Sequence, residues 1–491
     1  MIKDRWFYLG ILIIGIFLAI RLIDQSKIMW MFPLDYANDH SAHIAKIHFL
    51  AKYGYGNIVP NWWGGFPLLK FYHPGSALFA LPLFYIFQSA QIAEFIAMLF
   101  IFFFGFISVY FMGKNMNWSV VKRVAFFFFF FGNPLFISYL RVGRFGEMFG
   151  FFWATVLFLI IIWYKDHEID KKFLFFIPVY GILLVSHISV FMVFSSLVFA
   201  LFLIKSFREK ILILISGAIS LAWTSFWWLP FYIGIRDTMV GGFYGLQRTL
   251  LTSTPYTLGD RLTSFIIPIA FLIIFYFSWK SSNKFRKDWL FYSVPLILCV
   301  LFITRIAAFI PFVNRPVPDT YNLYFLFLSL FMLFNLNIDG LSRKFRKIIL
   351  TGLVILPIIW VLISIQLTAF FPVYGPLEDD LVSILPSVQG SFMSVGSTGR
   401  IYSHAVYAYA AIKHDLTTPS GWGAESVPFD HTSRLWQLQD DLTNDRCDEF
   451  TEGLDYLGVT DVVAYEDCDK LKECGLTREL KKEYFCLYRN K

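Results

Sequence analysis

Early in the chain two carboxylates and two imidazoles stand close together, in the run Pro33-Leu-Asp35-Tyr-Ala-Asn-Asp39-His40-Ser-Ala-His43. From Asp39 onward the apolar spacing fits a helix with Asp39 at its N-cap, so Asp39 and His43 share one face. A carboxylate held against a desolvating wall serves as a general base or as a ligand for a divalent metal. The same spacing is that of an ordinary helix cap, so the structural reading stands beside the catalytic one. Further along, Arg141, Arg144 and Glu147 cluster at the mouth of two apolar runs. Arginine offers a two-pronged donor for phosphate, and Glu147 is placed to orient it. His187 interrupts a long apolar run, and Arg315 sits in Asn314-Arg315-Pro316. Ionisable residues at such depth are costly and point to function, although a lone buried histidine is also a common structural element. Trp63 in Trp62-Trp63-Gly64-Gly65-Phe66-Pro67 and His73 in Phe71-Tyr72-His73-Pro74 complete the candidates. Their aromatic, Gly- and Pro-rich setting suits an interfacial belt, a sugar ring or a polyprenyl chain.

These residues must be positioned by membrane helices. Of 491 residues, 57% are hydrophobic and 16% charged, well below the quarter typical of soluble domains. The apolar residues fall in runs long enough to cross about 30 Å of hydrocarbon. The first, 6–22, reads as a retained span. Basic clusters at Lys3/Arg5, Lys114/Lys122/Arg123, Lys165/Lys171/Lys172, Lys205/Arg208/Lys210, Lys280–Lys287 and Arg343–Lys347 separate them. With all six clusters cytoplasmic, parity gives about eleven spans: 6–23, 91–113, 124–140, 147–164, 173–187, 189–204, 211–233, 263–279, 289–308, 320–338 and 348–370. The shorter stretch 77–89, broken by Pro82, reads as re-entrant or interfacial. The formal charge of +7 is this loop pattern, and no nucleic-acid partner is expected. The topology places the N-terminus in the cytoplasm, and the first loop (24–76), Arg141–Glu147, His187, Arg315 and everything after Phe371 outside. The fold class expected is a polytopic α-helical membrane protein, residues 1–370, carrying an extracytoplasmic α/β domain, 371–491.

In that tail, Arg400-Ile-Tyr and Asp461-Val-Val-Ala-Tyr465 read as strands among polar helices. Cys447, Cys468, Cys474 and Cys486 lie there, with Cys299 in a span. Four thiols in an exported domain suggest two disulfides, with three connectivities open. Arg305 and Asp319 read either as an interfacial pair or as side chains that snorkel to the membrane surface. There is no Gly-rich phosphate loop, Gly-x-Ser-x-Gly elbow or His-Glu-x-x-His.

The ordered set Asp39-x3-His43, Trp63-Gly-Gly-Phe-Pro, Phe71-Tyr72-x-Pro74, Arg144-x2-Glu147, Ser186-His187, Phe226-Trp-Trp-Leu-Pro230 and Asn314-Arg315-Pro316 continues in the tail. There it adds Gly399-Arg400-Ile, Ser420-Gly-Trp422 and Leu457-Gly-Val-x-Asp-Val-Val. The set resembles the membrane proteins labelled 6-pyruvoyl-tetrahydropterin-synthase-related, which look like a branch of the GT-C glycosyltransferase superfamily. The resemblance covers nearly the whole chain. It implies an inverting glycosyltransferase of the plasma membrane and cell envelope, taking sugar from a polyprenyl-phosphate donor at the extracytoplasmic face. A first-loop acid would act as base or metal ligand: Asp39, with Asp35 in reserve. Arg144 and Arg315 would hold the donor phosphate. Better-known members often carry two adjacent acids here, whereas Asp35 and Asp39 are four apart. A divalent metal is the only cofactor such a site implies, and membrane lipid is the expected partner. The competing readings are a transporter or lipid flippase, and a non-catalytic envelope scaffold.

Overall fold

The computed structural model describes residues 2–34, 39–234, 258–311, 313–371, 374–396, 404–422, 427–465 and 468–490. Asp35 and the expected strand at Arg400 lie outside these residues. The helices of the first half are α1 (Tyr8–Gln25), α2 (His40–Tyr53), α3 (Gly75–Phe87), α4 (Ala90–Asn115), α5 (Val120–Phe131), α6 (Pro134–Val142) and α7 (Phe145–Asp166). Then come α8 (Phe176–Ser186), α9 (Ile188–Ile204), α10 (Phe207–Trp223), α11 (Ser225–Gly234), α12 (Leu258–Ser281), α13 (Trp289–Ile303), α14 (Pro318–Asn335) and α15 (Arg343–Leu367).

Among the described residues five helices are long and apolar enough to cross a membrane, and seven if each of two bent pairs counts as one span. The bend between α5 and α6 is 54°, and that between α10 and α11 is 73°. The expected span 124–140 is therefore broken, and Asn133-Pro134 supplies the reason. The residue before a proline is pushed out of the helical region, and Asn133 Oδ1 accepts from the N–H groups of Leu135 (2.9 Å) and Phe136 (3.0 Å) to start α6. The stretch read as re-entrant is α3, which at 13 residues reaches about 20 Å, short of a bilayer's hydrocarbon. A left-handed Gln88 (φ 51°) turns the chain from α3 into α4.

The phenylalanine run of α5 is packing material. Phe126, Phe127 and Phe129–Phe131 are buried, and Phe130 and Phe158 both meet Phe327 at 4.9 Å between ring centroids. Edge-to-face rings of this kind add to the dispersion gained by burial.

The basic clusters gather at one end of the helical body. Ser119 Oγ donates to Asp4 (2.6 Å), Lys165 pairs with Asp288 (2.5 Å), Lys284 with Asp166 (2.8 Å), and the Ile169 N–H reaches Glu209 (3.0 Å). The opposite end carries the loop around α2 and the C-terminal unit. That unit is a four-stranded sheet of order β3-β4-β6-β5, where β3 is Phe392–Gly396, β4 Asp461–Tyr465, β5 Thr477–Lys481 and β6 Phe485–Arg489. β3 and β4 run parallel, and the other neighbours antiparallel. A two-residue ladder, β1 (Ile58–Val59) with β2 (Phe66–Pro67), stiffens the first loop. The two disulfides are Cys447–Cys474 and Cys468–Cys486, with Cα separations of 4.7 and 5.9 Å. Cys299 is free and buried.

Candidate functional site

Asp39 occupies the N-cap position of α2, but its side chain makes no capping bond. Its Oδ1 instead accepts from the indole N–H of Trp422 at 2.9 Å, while its backbone N–H donates to Val142 O at 2.6 Å. The next residue anchors the helix start. His40 Nδ1 meets Glu94 Oε1 at 2.8 Å, both side chains being fully buried, and Nε2 donates to Leu140 O at 2.9 Å. Gly143 makes this approach feasible, because a Cβ there would lie 2.4 Å from His40 N and its φ is +82°.

His43 and Lys46 follow Asp39 at helical spacing. Both are buried. The Lys46 ammonium lies 3.3 Å from the ring centroids of Tyr72 and of Trp422, and these two rings meet edge to face at 4.8 Å. A desolvated cation between π faces is a strong form of the cation–π interaction. Burial holds the His43 imidazole well below its ordinary range, and neighbouring Lys46 pushes the same way.

Arg144 begins α7. Its Nη1 stands 3.0 Å from Asp319 Oδ2 and 3.3 Å from Glu147 Oε2, and its guanidinium lies over Tyr139. Thr320 donates to Glu147 Oε1 at 3.3 Å, and His187 Nε2 lies 3.8 Å from the same oxygen. His73 stacks obliquely on His187, centroid to centroid 4.5 Å. The Asp39 carboxylate is near enough to act electrostatically on Arg144 and Glu147. Among the described residues, His43 Nε2, His73 Nδ1, His187 Nδ1 and Ser76 Oγ are buried with no hydrogen-bond partner. Orphaned polar atoms concentrated in one place call for a polar ligand or ordered water.

Of the sequence candidates, the fold thus gathers Asp39, His43, His73, Arg144, Glu147 and His187. Trp63 stands behind this group, its indole N–H donating to Trp422 O at 3.4 Å. Arg141 faces away from it: Nε donates to the carbonyls of Ala369 and Phe370, both at 3.1 Å, beside Arg21 on the same Ala369 oxygen. These contacts tie down the chain as it leaves α15. Arg315 is exposed in the turn before α14, four residues from the Asp319 that meets Arg144. Of the two readings for Arg305 and Asp319, the pair is not the one formed: Asp319 meets Arg144 at 3.0 Å, while Arg305 lies over Phe265 at 4.7 Å. Among the described residues no group of three or more His, Cys, Asp or Glu is arranged to hold a metal ion.

Lys46, Tyr72, Asp319 and Trp422 belong to the site although their spacing did not mark them out. Lys46 could have been found, being seven residues from Asp39 on the same helix face. Trp422 entered only through the motif Ser420-Gly-Trp422, because its partner Asp39 is 383 positions away and no local spacing links the two.

Comparison with solved structures places this architecture. AftD, an arabinofuranosyltransferase from Mycobacteria, superposes with a TM-score of 0.62 at 12% identity over 100% of this chain and 40% of its own. This chain therefore spans well under half the length of AftD. The oligosaccharyltransferase AglB from Archaeoglobus fulgidus, solved with an inhibitory peptide and a dolichol-phosphate, gives 0.56 at 10% identity over 99% and 74%. ArnT from Cupriavidus metallidurans gives 0.58 at 12% over 97% of both chains. At these identities the likeness shows the fold alone, a GT-C-like polytopic helical architecture with a small C-terminal sheet unit. No protein-family profile matches the chain, and no curated protein matches it in sequence. The likeness to the 6-pyruvoyl-tetrahydropterin-synthase-related proteins therefore rests on the ordered motifs alone.

Proposed function

We propose that this protein transfers a glycosyl group from a polyprenyl-phosphate donor to an acceptor hydroxyl at the extracytoplasmic face of the plasma membrane, with Asp39 as base. The acceptor oxygen attacks the anomeric carbon and its proton passes to Asp39. The bond from the anomeric carbon to the phosphate oxygen breaks with its electron pair leaving on polyprenyl phosphate, so the configuration inverts. Arg144 and Arg315 stabilise the negative charge that grows on the departing phosphate, which fixed cations do most effectively where water is excluded. Glu147 and Asp319 hold the Arg144 guanidinium in place. Asp35 is the reserve for the base.

The observation that carries this reading is the Asp39 side chain. It leaves its own helix uncapped and points into a buried group of charges and orphaned imidazoles. A purely structural aspartate would spend its carboxylate on the first turn of α2. The fold adds support, because one of its solved members was captured with a dolichol-phosphate.

The test is turnover in lipid nanodiscs with a panel of dolichyl- and undecaprenyl-phosphate sugars, following release of the polyprenyl phosphate by mass spectrometry. Asp39→Asn is expected to lower release by about 100-fold or more, the range of a lost general base, with unfolding temperature unchanged. Equal release from the variant would remove Asp39 from the chemistry.

A further inference from the structure

At the end of the helical body that carries the basic clusters, a cavity of about 150 Å³ opens between helix ends. Ile162, Lys165 and Asp166 of α7 line it, with Ser278 of α12 and with Phe331 and Met332 of α14. Its remaining side is the link from α12 to α13. There Ser282 Oγ accepts from the Phe285 N–H at 3.2 Å and starts the short helix Asn283–Lys287. Phe285 then stacks on Tyr292 at 4.0 Å, and Lys284 and Asp288 come to the rim. A void of this size takes a group of about six heavy atoms, as benzene does in an engineered cavity of about 150 Å³.

The charges on the rim pair with one another. Lys165, whose side chain is 5% exposed, donates to Asp288 at 2.5 Å and to Asp166 Oδ1 at 2.7 Å. Lys284 reaches Asp166 Oδ2 at 2.8 Å, but its side chain is 69% exposed. An ion pair on so exposed a lysine is weak, so another ammonium can take its place on Asp166. One polar atom of the lining is unmatched. Ser278 is 4% exposed, and among the described residues its Oγ has no hydrogen-bond partner. Neighbouring Asn335 is satisfied by contrast, accepting from Trp118 Nε1 at 3.0 Å and donating to Phe331 O at 2.8 Å. Buried hydroxyls are nearly always bonded, and one left open on a cavity with charged walls points to a guest.

The setting narrows what that guest is. Tyr276 and Trp279 on α12 and Trp289 at the start of α13 are exposed close by in the chain, and Trp and Tyr at helix ends lie at the level of lipid headgroups. The carboxylates of Asp166 and Asp288 and the Ser278 hydroxyl are acceptors for a group with several N–H bonds, whereas a displaced Lys284 attracts an anion. A primary ammonium a few bonds from a phosphate meets both demands. A quaternary ammonium has no N–H to donate, and a purely anionic headgroup would face the two carboxylates.

We infer that this cavity is a lipid headgroup site that takes the aminoethyl phosphate of phosphatidylethanolamine. The lipid ammonium replaces that of Lys284 on Asp166 and donates to Ser278 Oγ, and the lipid phosphate pairs with the released Lys284. The 22 residues of α7 hold Asp166 about 30 Å from Arg144, so the site is separate from the group around Asp39 and independent of the transferase reading.

The test is native mass spectrometry of the full protein in detergent with equal amounts of dioleoyl phosphatidylethanolamine, phosphatidylcholine and phosphatidylglycerol. The ethanolamine lipid is expected to bind about tenfold more tightly than either of the others. Ser278→Ala is expected to cut that preference about fivefold, the size of one hydrogen bond, with unfolding temperature unchanged because the hydroxyl bonds nothing in the fold. Asp166→Asn is expected to abolish it; should that variant prove unstable, Ser278→Ala decides alone. Equal retention of the three lipids, a preference for phosphatidylglycerol, or a preference undiminished in either variant would overturn the inference. The last result would place the lipid elsewhere and leave Ser278 to ordered water.

Discussion

Removing the indole N–H of Trp422 while keeping an aromatic ring over Lys46 isolates what that hydrogen bond does for Asp39. A hydrogen bond to a charged acceptor contributes about 1.5–3 kcal/mol. If it fixes the carboxylate for proton abstraction, Trp422→Phe lowers kcat by about 10- to 100-fold with little change in KM. A change confined to KM, or to unfolding temperature, would make Trp422 a packing residue only. His43 gives a pH test. Its folded-state pKa lies well below the ordinary 6.5, so as pH falls below about 6.5 the unfolded chain takes up a proton that the fold refuses. Stability is therefore lost on acidification, by up to about 1.4 kcal/mol per pH unit within that window. His43→Gln is expected to flatten the fall in unfolding temperature between pH 7 and pH 5, with His73, shifted the same way, keeping part of the slope. Identical slopes in the two proteins would contradict the buried neutral imidazole. At this scale the spacing of Asp39 and His43 was legible because helix geometry is local. The Trp422 bond and the Arg144–Asp319 pair join distant parts of the chain, which no local pattern reports.

The corner between α6 and α7 presses against the start of α2, and one glycine permits it. Gly143→Ala introduces a Cβ 2.4 Å from His40 N at φ +82°. The left-handed conformation alone is worth roughly 1–2 kcal/mol, and the contact adds to it. The expected result is a clear drop in unfolding temperature together with lost donor turnover, because Asp39 hangs on Val142 in the same corner. An unchanged unfolding temperature would mean that the corner relaxes freely. In the C-terminal unit, Cys447 and Cys474 close a loop with a separation of 27 residues. The paired Cys447→Ser and Cys474→Ser variant should lose about 3–4 kcal/mol, read as increased protease sensitivity of that unit. Helices were the most legible elements, since each expected span coincides with a helix or a bent pair. The bends were not anticipated, although Gly132-Asn133-Pro134 carries the signal for one of them: lipid-length hydropathy is blind to a break that leaves composition unchanged. Cysteine pairing was open among three connectivities, because Cys447 and Cys468 begin helices, Cys474 follows one and only Cys486 lies in a strand, so pairing is set by how these elements pack and not by the spacing.

Over the whole molecule, the C-terminal unit is fastened to the first loop and shares in the site. Asn61 Nδ2 donates to Asp415 and to Leu416 O, Trp62 to Tyr407 O, and Gly421 is packed so tightly that a Cβ would lie 2.8 Å from the Trp62 ring. Basic clusters at the opposite end give the proposed orientation its test. A cysteine at exposed Tyr456 should react with a membrane-impermeant maleimide in intact cells, whereas one at Lys284, exposed at the basic end, should react only after permeabilisation; the reverse pattern would invert the topology. The polytopic class was plain in composition and parity, but which loops meet was not, because the contacts that build the site cross hundreds of residues. On the proposed function, the buried charged group beside Asp39 receives a lipid phosphate. The most direct measurement is a cryo-EM structure of the protein in nanodiscs with saturating dolichyl phosphate. Phosphate density is expected within hydrogen-bonding distance of Arg144 or Arg315, its prenyl tail entering the bilayer and its head beside Asp39. Lipid phosphate bound elsewhere on the protein, with Arg144 still closed on Asp319 and Glu147, would contradict it.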